Sequence, residues 1–213
     1  MTTLVLIAKE PLPGRAKTRL HPAVSLEHAA LIAAAAIDDT LRTLNTVPAT
    51  RRMLFYQGEV LPARAAGWDV IAQPEGSLDE RLAHLFDAVA GPVLLVGMDT
   101  PQLCANDLAP ALTGAGDPHD AWFGPAVDGG FWALGMREPR GDLIRGIRMS
   151  QPDTGHQQMM RLTAAGLNVG MLRPLADVDT IDTAFEVAAL VPDSLFSQTL
   201  CAVPVHDVRG VAA

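Results

Sequence analysis

The pattern of apolar and polar positions changes period repeatedly along the chain, and this change predicts alternating strands and helices. Short apolar runs bounded by turn residues are typical of buried strands, whereas longer stretches with apolar positions three and four apart are typical of helices. The predicted strands are 4–8, 52–56, 69–72, 92–96, 121–125, 130–134 and 169–172. The predicted helices are 25–44, 77–90, 103–112, 154–165 and 182–190.

Local signals support several of these boundaries. Ser25 is a good N-cap for the first helix. Ser77 and Glu80 have the spacing of a capping box at the start of the second helix. The turn 128–130 contains two glycines and predicts a junction between two paired strands.

The alternation predicts an α/β fold with a mostly parallel sheet and helices on both faces. We expect one domain over residues 1–192, followed by a weakly patterned C-terminal tail, 193–213. Ligands of open parallel sheets bind beyond the carboxyl ends of the strands. The segments that follow predicted strands are therefore the candidate site: 9–19, 73–81, 97–101, 127–130 and 177–180.

Composition narrows the class of protein. With 213 residues, 49% hydrophobic and 19% charged, the chain can bury a sizeable core. The net charge of −8 argues against a nucleic-acid partner, which needs an extended basic surface. No apolar stretch reaches the ~18 residues of a membrane span, and no signal segment is visible, so we expect a cytoplasmic protein. Two cysteines are too few for a disulfide framework, and we expect buried, free thiols.

Both lysines of the chain lie in one loop. Lys9 and Lys17 share it with Arg15 and Arg19, and every other basic residue is an arginine. Ammonium and guanidinium groups pair with phosphates through charge-assisted hydrogen bonds, so the loop predicts binding of a phosphorylated ligand. Neither glycine-rich phosphate motif is present, which leaves the side chains and the flexible Gly14 to bind it. The alternative is a solvated basic turn.

Three acidic positions follow predicted strands and are candidate metal ligands. Asp99 follows the apolar strand 92–96, and Asp177 and Asp179 follow the last strand. Mg²⁺ in proteins is held by one or two carboxylates together with ligand phosphates and waters. The alternative is that Asp99 or Asp179 caps a helix. Asp128, within its turn, is by itself more typical of a structural position.

Taken in order, five segments resemble a known bacterial family. They are AKEPLPGRAKTRL at 8–20, QPEGSLDERL at 73–82, GMDTP at 97–101, GPAVDGG at 124–130 and DVDT at 177–180. The family is glycosyltransferase-like and is also known as arsenosugar-biosynthesis-type glycosyltransferase. It is related to molybdenum-cofactor guanylyltransferase and 2-phospholactate guanylyltransferase. The chain departs from the family pattern at MSQPDT, 149–154, where a Trp-Ser-Thr-like stretch is usual, and at Asp79, where a second glycine is usual.

The resemblance implies a GT-A (nucleotide-diphospho-sugar transferase) fold that binds a nucleotide in its N-terminal half and uses Mg²⁺ or Mn²⁺. It implies Asp99 with Asp177 or Asp179 as metal ligands, and Lys9, Arg15, Lys17 and Arg19 as phosphate-binding residues, to which the loop adds Gly14. The loop after the strand 69–72 lies next to the nucleotide side, so we expect its residues Gln73, Gly76 and Arg81 to border the base or ribose. We predict Lys17, Asp99 and Asp128 as catalytic residues.

Three functions agree with these features. The first is a glycosyltransferase that uses a nucleotide-sugar donor. The second is a nucleotidyltransferase that joins a nucleoside monophosphate to a phosphorylated acceptor and releases pyrophosphate. The third is a nucleotide-binding protein without turnover. The expected partners are a nucleotide or nucleotide-sugar donor and an unidentified small-molecule acceptor. We expect neither nucleic acid nor a membrane as a partner, and a homodimer is an alternative to a monomer.

Overall fold

A seven-stranded sheet forms the centre of the computed structural model, which describes residues 2–112 and 116–206. The strands are β1 (Thr3–Lys9), β2 (Arg51–Gln57), β3 (Asp69–Ala72), β4 (Val93–Val96), β5 (Ala121–Pro125), β6 (Phe131–Met136) and β7 (Val169–Met171). The helices are α1 (Leu26–Thr46), α2 (Leu78–Ala88), α3 (Ala105–Leu108), α4 (Thr154–Ala164), α5 (Ile181–Leu190) and α6 (Leu195–Ala202). Each predicted strand overlaps an observed one.

The strand order is β3-β2-β1-β4-β6-β5-β7. β1 is parallel to its neighbours β2 and β4, β2 is parallel to β3, and β7 is parallel to β5. β6 runs antiparallel to both β4 and β5. The predicted mostly parallel sheet is therefore confirmed, and the turn 128–130 joins the antiparallel pair β5–β6 as expected.

Helices cover both faces of the sheet. Apolar side chains of α1, such as Ile37 and Leu41, pack on one face together with α3. Apolar side chains of α2 and α4, such as Phe86 and Leu162, pack on the other face. Both predicted helix starts have the expected caps: Ser25 Oγ accepts a hydrogen bond from the His28 N–H at 3.2 Å, and Glu80 accepts one from the Ser77 N–H at 3.0 Å.

One local prediction is confirmed only in part, and another is wrong. The predicted helix 103–112 is the short α3 followed by a 3-10 turn, Ala109–Leu112, because Pro110 has no N–H with which to continue an α-helix. The two free cysteines, Cys104 and Cys201, are exposed rather than buried.

Helix α6 lies in the segment 193–213 and packs against α1. Phe196 and Leu200 are fully buried between α1 and α5. The buried carboxylate of Asp39 on α1 accepts hydrogen bonds from the N–H groups of Phe196 at 2.7 Å and Leu195 at 3.3 Å. The charge of Asp39 thus lies at the N-terminus of α6, where the helix dipole favours it. None of the helices within the described residues is both long and apolar enough to cross a bilayer.

Candidate active site

A cleft of about 750 Å³ opens beyond the carboxyl ends of β1, β2 and β4. Its volume is within the usual range of small-molecule sites, ~300–1,000 Å³. The predicted site residues that line it are Lys9, Lys17, Arg19, Gln73, Arg81, Asp99, Asp128, Asp177 and Asp179. Three other predicted residues, Gly14, Arg15 and Gly76, are not among its lining residues.

The loop after β1 is held by two buried side chains, Ala16 and Leu20. The carbonyl oxygen of Leu12 accepts hydrogen bonds from the N–H groups of Arg15 at 3.0 Å and Ala16 at 3.2 Å. Lys17 then adopts a left-handed backbone with φ of 49°. Non-glycine residues are uncommon in this region and are held there by the surrounding structure. This turn directs the Lys17 side chain into the cleft.

Lys17 joins the loop after β1 to two acidic loops. Its Nζ lies 2.5 Å from Asp99 Oδ1 and 3.3 Å from Asp179 Oδ1, and its side chain is only 5% exposed. Burial lowers the pKa of Lys17, but the two carboxylates more than offset this, so its pKa lies above the usual value. The ammonium therefore stays charged. Arg19 adds a more exposed contact, with Nη1 3.0 Å from Asp179 Oδ2.

Asp177 is the most perturbed carboxyl of the cleft. Burial raises its pKa to about 7, and the negative charges of Asp99 and Asp128 add to this effect. Its Oδ1 is buried and has no hydrogen-bond partner among the described residues. A carboxylate that is buried near other negative charges, without a hydrogen-bond donor, is stabilised by any cation that approaches it.

The segment that carries Asp177 and Asp179 is fixed to the loop after β4. The N–H of Val178 donates to the Asp99 carbonyl oxygen at 3.0 Å, and the Val178 side chain is fully buried. Gln102 Nε2 donates to the Ala176 carbonyl oxygen at 2.6 Å. These bonds hold the early and late acidic loops together.

Arg81 and Gln73 form the opposite side of the cleft. Gln73 Nε2 donates to the carbonyl oxygens of Ala8 at 2.9 Å and Phe55 at 3.0 Å, which joins β1 and β2 where they end. Gln73 Oε1 accepts from Arg81 Nη1 at 2.7 Å. The Nε of Arg81 is buried and has no partner among the described residues. Arg81 therefore faces the cleft with donors still available.

The third side of the cleft is the turn before β6 together with residues 149–152. Asp128 Oδ1 accepts a hydrogen bond from the Gly130 N–H at 2.8 Å. The N–H of Gly155 donates to the Gly129 carbonyl oxygen at 2.8 Å, so the start of α4 is bonded to the turn. Gly129 has φ of +92°, and a Cβ there would overlap the Pro152 carbonyl.

Several cleft residues are not distinguished by the sequence patterns. Gln57 lies at the end of β2 and was open to the same strand-end argument as the other segments. Ser150 lines the cleft with a left-handed backbone, φ of 58°, and no local residue pattern predicts this. The segment 149–154, where the chain departs from the family pattern, contributes five cleft residues: Met149, Ser150, Gln151, Pro152 and Thr154.

The carboxylates of the cleft fit a hard divalent cation that is also held by a ligand. Within residues 2–112 and 116–206, no group of three or more His, Cys, Asp or Glu side chains is placed to hold a metal ion alone. The unpartnered Oδ1 of Asp177 and the ammonium of Lys17 beside Asp99 both mark places where positive charge is favourable. One or two carboxylates with phosphate oxygens are the typical Mg²⁺ environment.

Comparison with known proteins places these features in a family. A family model described as an uncharacterized protein conserved in bacteria, DUF2064, matches residues 32–151, more than half of the chain. No curated protein matches the sequence. A crystal structure from Desulfovibrio desulfuricans, provisionally named a nucleotide-diphospho-sugar transferase, is 28% identical. It superposes with a TM-score of 0.75 over 93% of this chain and 97% of that one.

More distant structures share the fold. The 2-C-methyl-D-erythritol 4-phosphate cytidylyltransferase of Thermus thermophilus is 16% identical, with a TM-score of 0.52 over 89% of this chain and 98% of that one. Glucosyl-3-phosphoglycerate synthase of Mycobacterium tuberculosis, in complex with Mn²⁺, UDP and glucosyl-3-phosphoglycerate, is 12% identical. Its TM-score is 0.50 over 83% of this chain and 70% of that one. The predicted nucleotide-diphospho-sugar transferase fold is confirmed.

Proposed function

We propose that this chain, which belongs to the DUF2064 family, is a metal-dependent transferase. It moves a sugar from a nucleotide-diphosphate donor to a small-molecule acceptor. One observation carries the proposal: the buried Lys17 ammonium meets Asp99 and Asp179 at the carboxyl edge of the sheet. Basic groups and metal-type carboxylates that converge in one cleft match the needs of a metal-bound diphosphate.

The donor binds the side of the cleft formed by the N-terminal half. Lys9, Lys17, Arg19 and Arg81 supply positive charge to the diphosphate. Gln73 lies beside Arg81 and borders the base or ribose. Gly14, Arg15 and Gly76 belong to the flanking loops. Both glycines have positive φ, which permits the tight turns there, and Arg15 adds an exposed cation to the phosphate-binding loop.

Asp99 and either Asp177 or Asp179 would hold a divalent cation, Mg²⁺ or Mn²⁺, and Mn²⁺ is present in the similar glucosyl-3-phosphoglycerate synthase structure. A cation bound there would neutralise the charge that develops on the leaving diphosphate. Lys17 supplies a second, permanent charge to the same group because its own pKa is raised.

Asp128 accepts the proton of the attacking group. Its Oδ1 is held by the Gly130 N–H, and the exposed carboxylate retains Oδ2 for an acceptor hydroxyl. The acceptor oxygen forms a bond to the anomeric carbon of the donor sugar. The bond from that carbon to the diphosphate oxygen breaks, its electron pair leaves with the nucleoside diphosphate, and the hydroxyl proton passes to Asp128.

Nucleotidyl transfer is the second candidate, favoured by the four basic residues that line the cleft. A nucleoside triphosphate carries more negative charge than a sugar diphosphate and matches them better. In that reaction an acceptor phosphate oxygen attacks the α-phosphorus, and pyrophosphate leaves. A nucleotide-binding protein without turnover is the third candidate.

The proposal also covers the related families, the domain boundary, the location in the cell and the partners. The resemblance to arsenosugar-biosynthesis-type glycosyltransferases and to the molybdenum-cofactor and 2-phospholactate guanylyltransferases supports this reaction class. We assign the transferase domain to residues 1–192, with α6 as a C-terminal addition. We expect the protein to act in the cytoplasm, as a monomer or homodimer, and without nucleic acid or membrane as partner.

A thermal-stabilisation screen tests the proposal, because a ligand that binds only the native state raises the melting temperature. Nucleoside triphosphates and nucleotide-sugars are screened with and without Mg²⁺ or Mn²⁺. Metal-dependent stabilisation by a nucleotide-sugar is the expected result, whereas stabilisation by triphosphates alone favours nucleotidyl transfer. Asp99→Asn should lose the metal dependence and turnover and keep the fold. Asp69→Asn, at an exposed ion pair away from the cleft, is the matched control. If no nucleotide stabilises the protein, both transferase functions are wrong.

A further inference from the structure

Positive charge is confined to one part of the cleft. We call the cleft residues before position 96 the donor half and those from 128 to 154 the acceptor half; the acidic loops 97–99 and 177–179 lie between them. The donor half contains Lys9, Lys17, Arg19 and Arg81. The acceptor half, among the residues that the structure describes, contains no lysine or arginine and has the carboxylate of Asp128.

From this distribution we propose that the acceptor is an uncharged hydroxylated molecule, such as a polyol or sugar, and not a phosphate ester. The inference rests on the proposed function, because it names the acceptor class for the same cleft. It extends that function by separating a hydroxyl acceptor from the phosphorylated acceptor of nucleotidyl transfer.

The basic groups of the cleft all lie in the donor half, where the proposed diphosphate binds. Two of them are also held by the acidic loops: Lys17 is paired with Asp99 and Asp179, and Arg19 is paired with Asp179. A phosphate in the acceptor half would meet Asp128 without a cation of its own. Like charges at short range repel, and a site that excludes one ligand in this way selects for another.

The walls of the acceptor half suit a hydroxylated molecule. Phe131 and Met149 are half-buried, packed against the core on one side and facing the cleft on the other. They offer apolar surface to the C–H faces of a sugar or polyol. Ser150 and Gln151 offer neutral hydrogen-bonding groups to its hydroxyls.

Hydrogen bonds fix the backbone of this half of the cleft before a ligand binds. Thr154 Oγ1 donates to the Arg148 carbonyl oxygen at 2.8 Å and accepts from the Gln151 N–H at 3.0 Å. Together with the bond from Gly155 to Gly129, these contacts hold the left-handed backbone of Ser150 in place. A preformed site loses less freedom when it binds.

Backbone NMR with simple probes tests the inference. Excess Mg²⁺ and inorganic pyrophosphate first fill the donor half, and the protein is then titrated with glycerol or with glycerol 3-phosphate. We expect glycerol to shift the amide signals of Gly129, Gly130, Phe131, Ser150 and Gln151, and glycerol 3-phosphate to bind there at least tenfold more weakly. Equal or tighter binding of the phosphate ester, or no shift with glycerol, would overturn the inference.

A charge-addition variant adds a second test. Gln151→Lys places an ammonium in the acceptor half, and the Gln151 side chain is exposed. This variant should bind glycerol 3-phosphate at least tenfold more tightly than the unmodified protein does. The control is Glu138→Lys, at an exposed position after β6 and outside the cleft. It should change neither the affinity for glycerol 3-phosphate nor the affinity for glycerol. If Gln151→Lys gains no affinity for the phosphate ester, a missing cation is not what excludes phosphate, and the inference fails.

The first titration separates the two proposals. If pyrophosphate with Mg²⁺ leaves the signals of residues 9–19 unchanged, the proposed function itself is wrong. If it shifts them and the acceptor half then prefers the phosphate ester, only the acceptor inference is wrong.

Discussion

The ammonium of Lys17 lies 2.5 Å from Oδ1 of Asp99, and the lysine side chain is almost completely buried. The contact joins the loop after β1 to the loop after β4, two strands that are neighbours in the sheet. It places a fixed positive charge beside the carboxylate that we assign to the metal. Any phosphate that reaches this metal must also reach Lys17.

Replacing Lys17 by alanine should therefore weaken the binding of a nucleoside diphosphate by about 1.5–3 kcal/mol, the usual worth of a hydrogen bond to a charged group. Titration calorimetry in the presence of Mg²⁺ measures the change. Arg51→Ala is the control, because Arg51 is paired with Asp69 at the start of β2, the end away from the cleft. Equal affinity of both variants would remove Lys17 from the phosphate site.

Gln73 and Arg81 should have separable effects. Gln73→Ala removes the two hydrogen bonds to Ala8 and Phe55 and should lower the free energy of unfolding by ~1–3 kcal/mol, since each such bond contributes about 0.5–1.5 kcal/mol. Arg81→Ala removes the bond to Gln73 Oε1, so it should lower the free energy of unfolding by only ~0.5–1.5 kcal/mol, less than Gln73→Ala does, and it should weaken nucleotide binding. Urea unfolding and calorimetry measure the two quantities. A large loss of stability in Arg81→Ala would mean that Arg81 serves the fold rather than a ligand.

The turn before β6 should tolerate no side chain at Gly129. Gly129→Ala places a Cβ against the Pro152 carbonyl in a backbone with φ of +92°, so both strain and overlap lower the stability. Gly166→Ala is a matched control, with φ of +81° and no atom within 4 Å of a Cβ. The control should lose about 1 kcal/mol from backbone strain alone, and Gly129→Ala should lose clearly more. Equal losses in urea unfolding would contradict the close contact.

The ion pair Asp107–Arg173 should make the free energy of unfolding depend on pH in the acid range. Burial alone would raise the pKa of Asp107, but two hydrogen bonds from Arg173, at 2.7 and 2.9 Å, and the Cys104 N–H hold it below the usual value. The folded protein then binds a proton at Asp107 less readily than the unfolded chain does. Its contribution to stability is complete above the unfolded pKa of about 3.9 and is lost as the pH falls through the lower folded value.

Melting temperatures between pH 6 and pH 3 check this expectation. Asp107→Asn should be less stable than the unmodified protein at pH 6, and the difference should shrink toward pH 3. Asp69→Asn, which breaks an exposed ion pair, should show little difference at pH 6. A difference for Asp107→Asn that is constant with pH would show that its charge is not the cause.

Much of the site follows from one rule applied to the sequence. Asp99, Asp177 and Gln73 each follow a predicted strand, and in a parallel sheet the carboxyl ends of the strands meet at one edge. The apolar runs were long enough to locate those ends within one or two residues. Asp99 and Asp177 are therefore found in the same cleft although they are far apart in the chain.

Other features depend on tertiary contacts that no local pattern records. The left-handed backbone of Lys17 turns its side chain into the cleft, while Arg15, two residues earlier, stays outside. Ser150 belongs to no predicted strand and reaches the cleft because the segment is bonded to Gly129 and Arg148. Helix α6 did leave a signal: Ser194 is an N-cap, and Phe196 and Leu200 are four positions apart.

The reversed direction of β6 has a consequence for how such a protein diversifies. Parallel strands are joined by long crossovers that pass over a face of the sheet, so a change in one of them disturbs the core. The connection between β5 and β6 is a short turn, and its exposed side chains, such as Val127, project away from the core. These side chains can be exchanged without moving the phosphate-binding loop, whereas an insertion at Gly129 would displace the start of α4, which is bonded to it. A constant donor chemistry can thus be combined with a new acceptor by exchanging the exposed residues of a single turn.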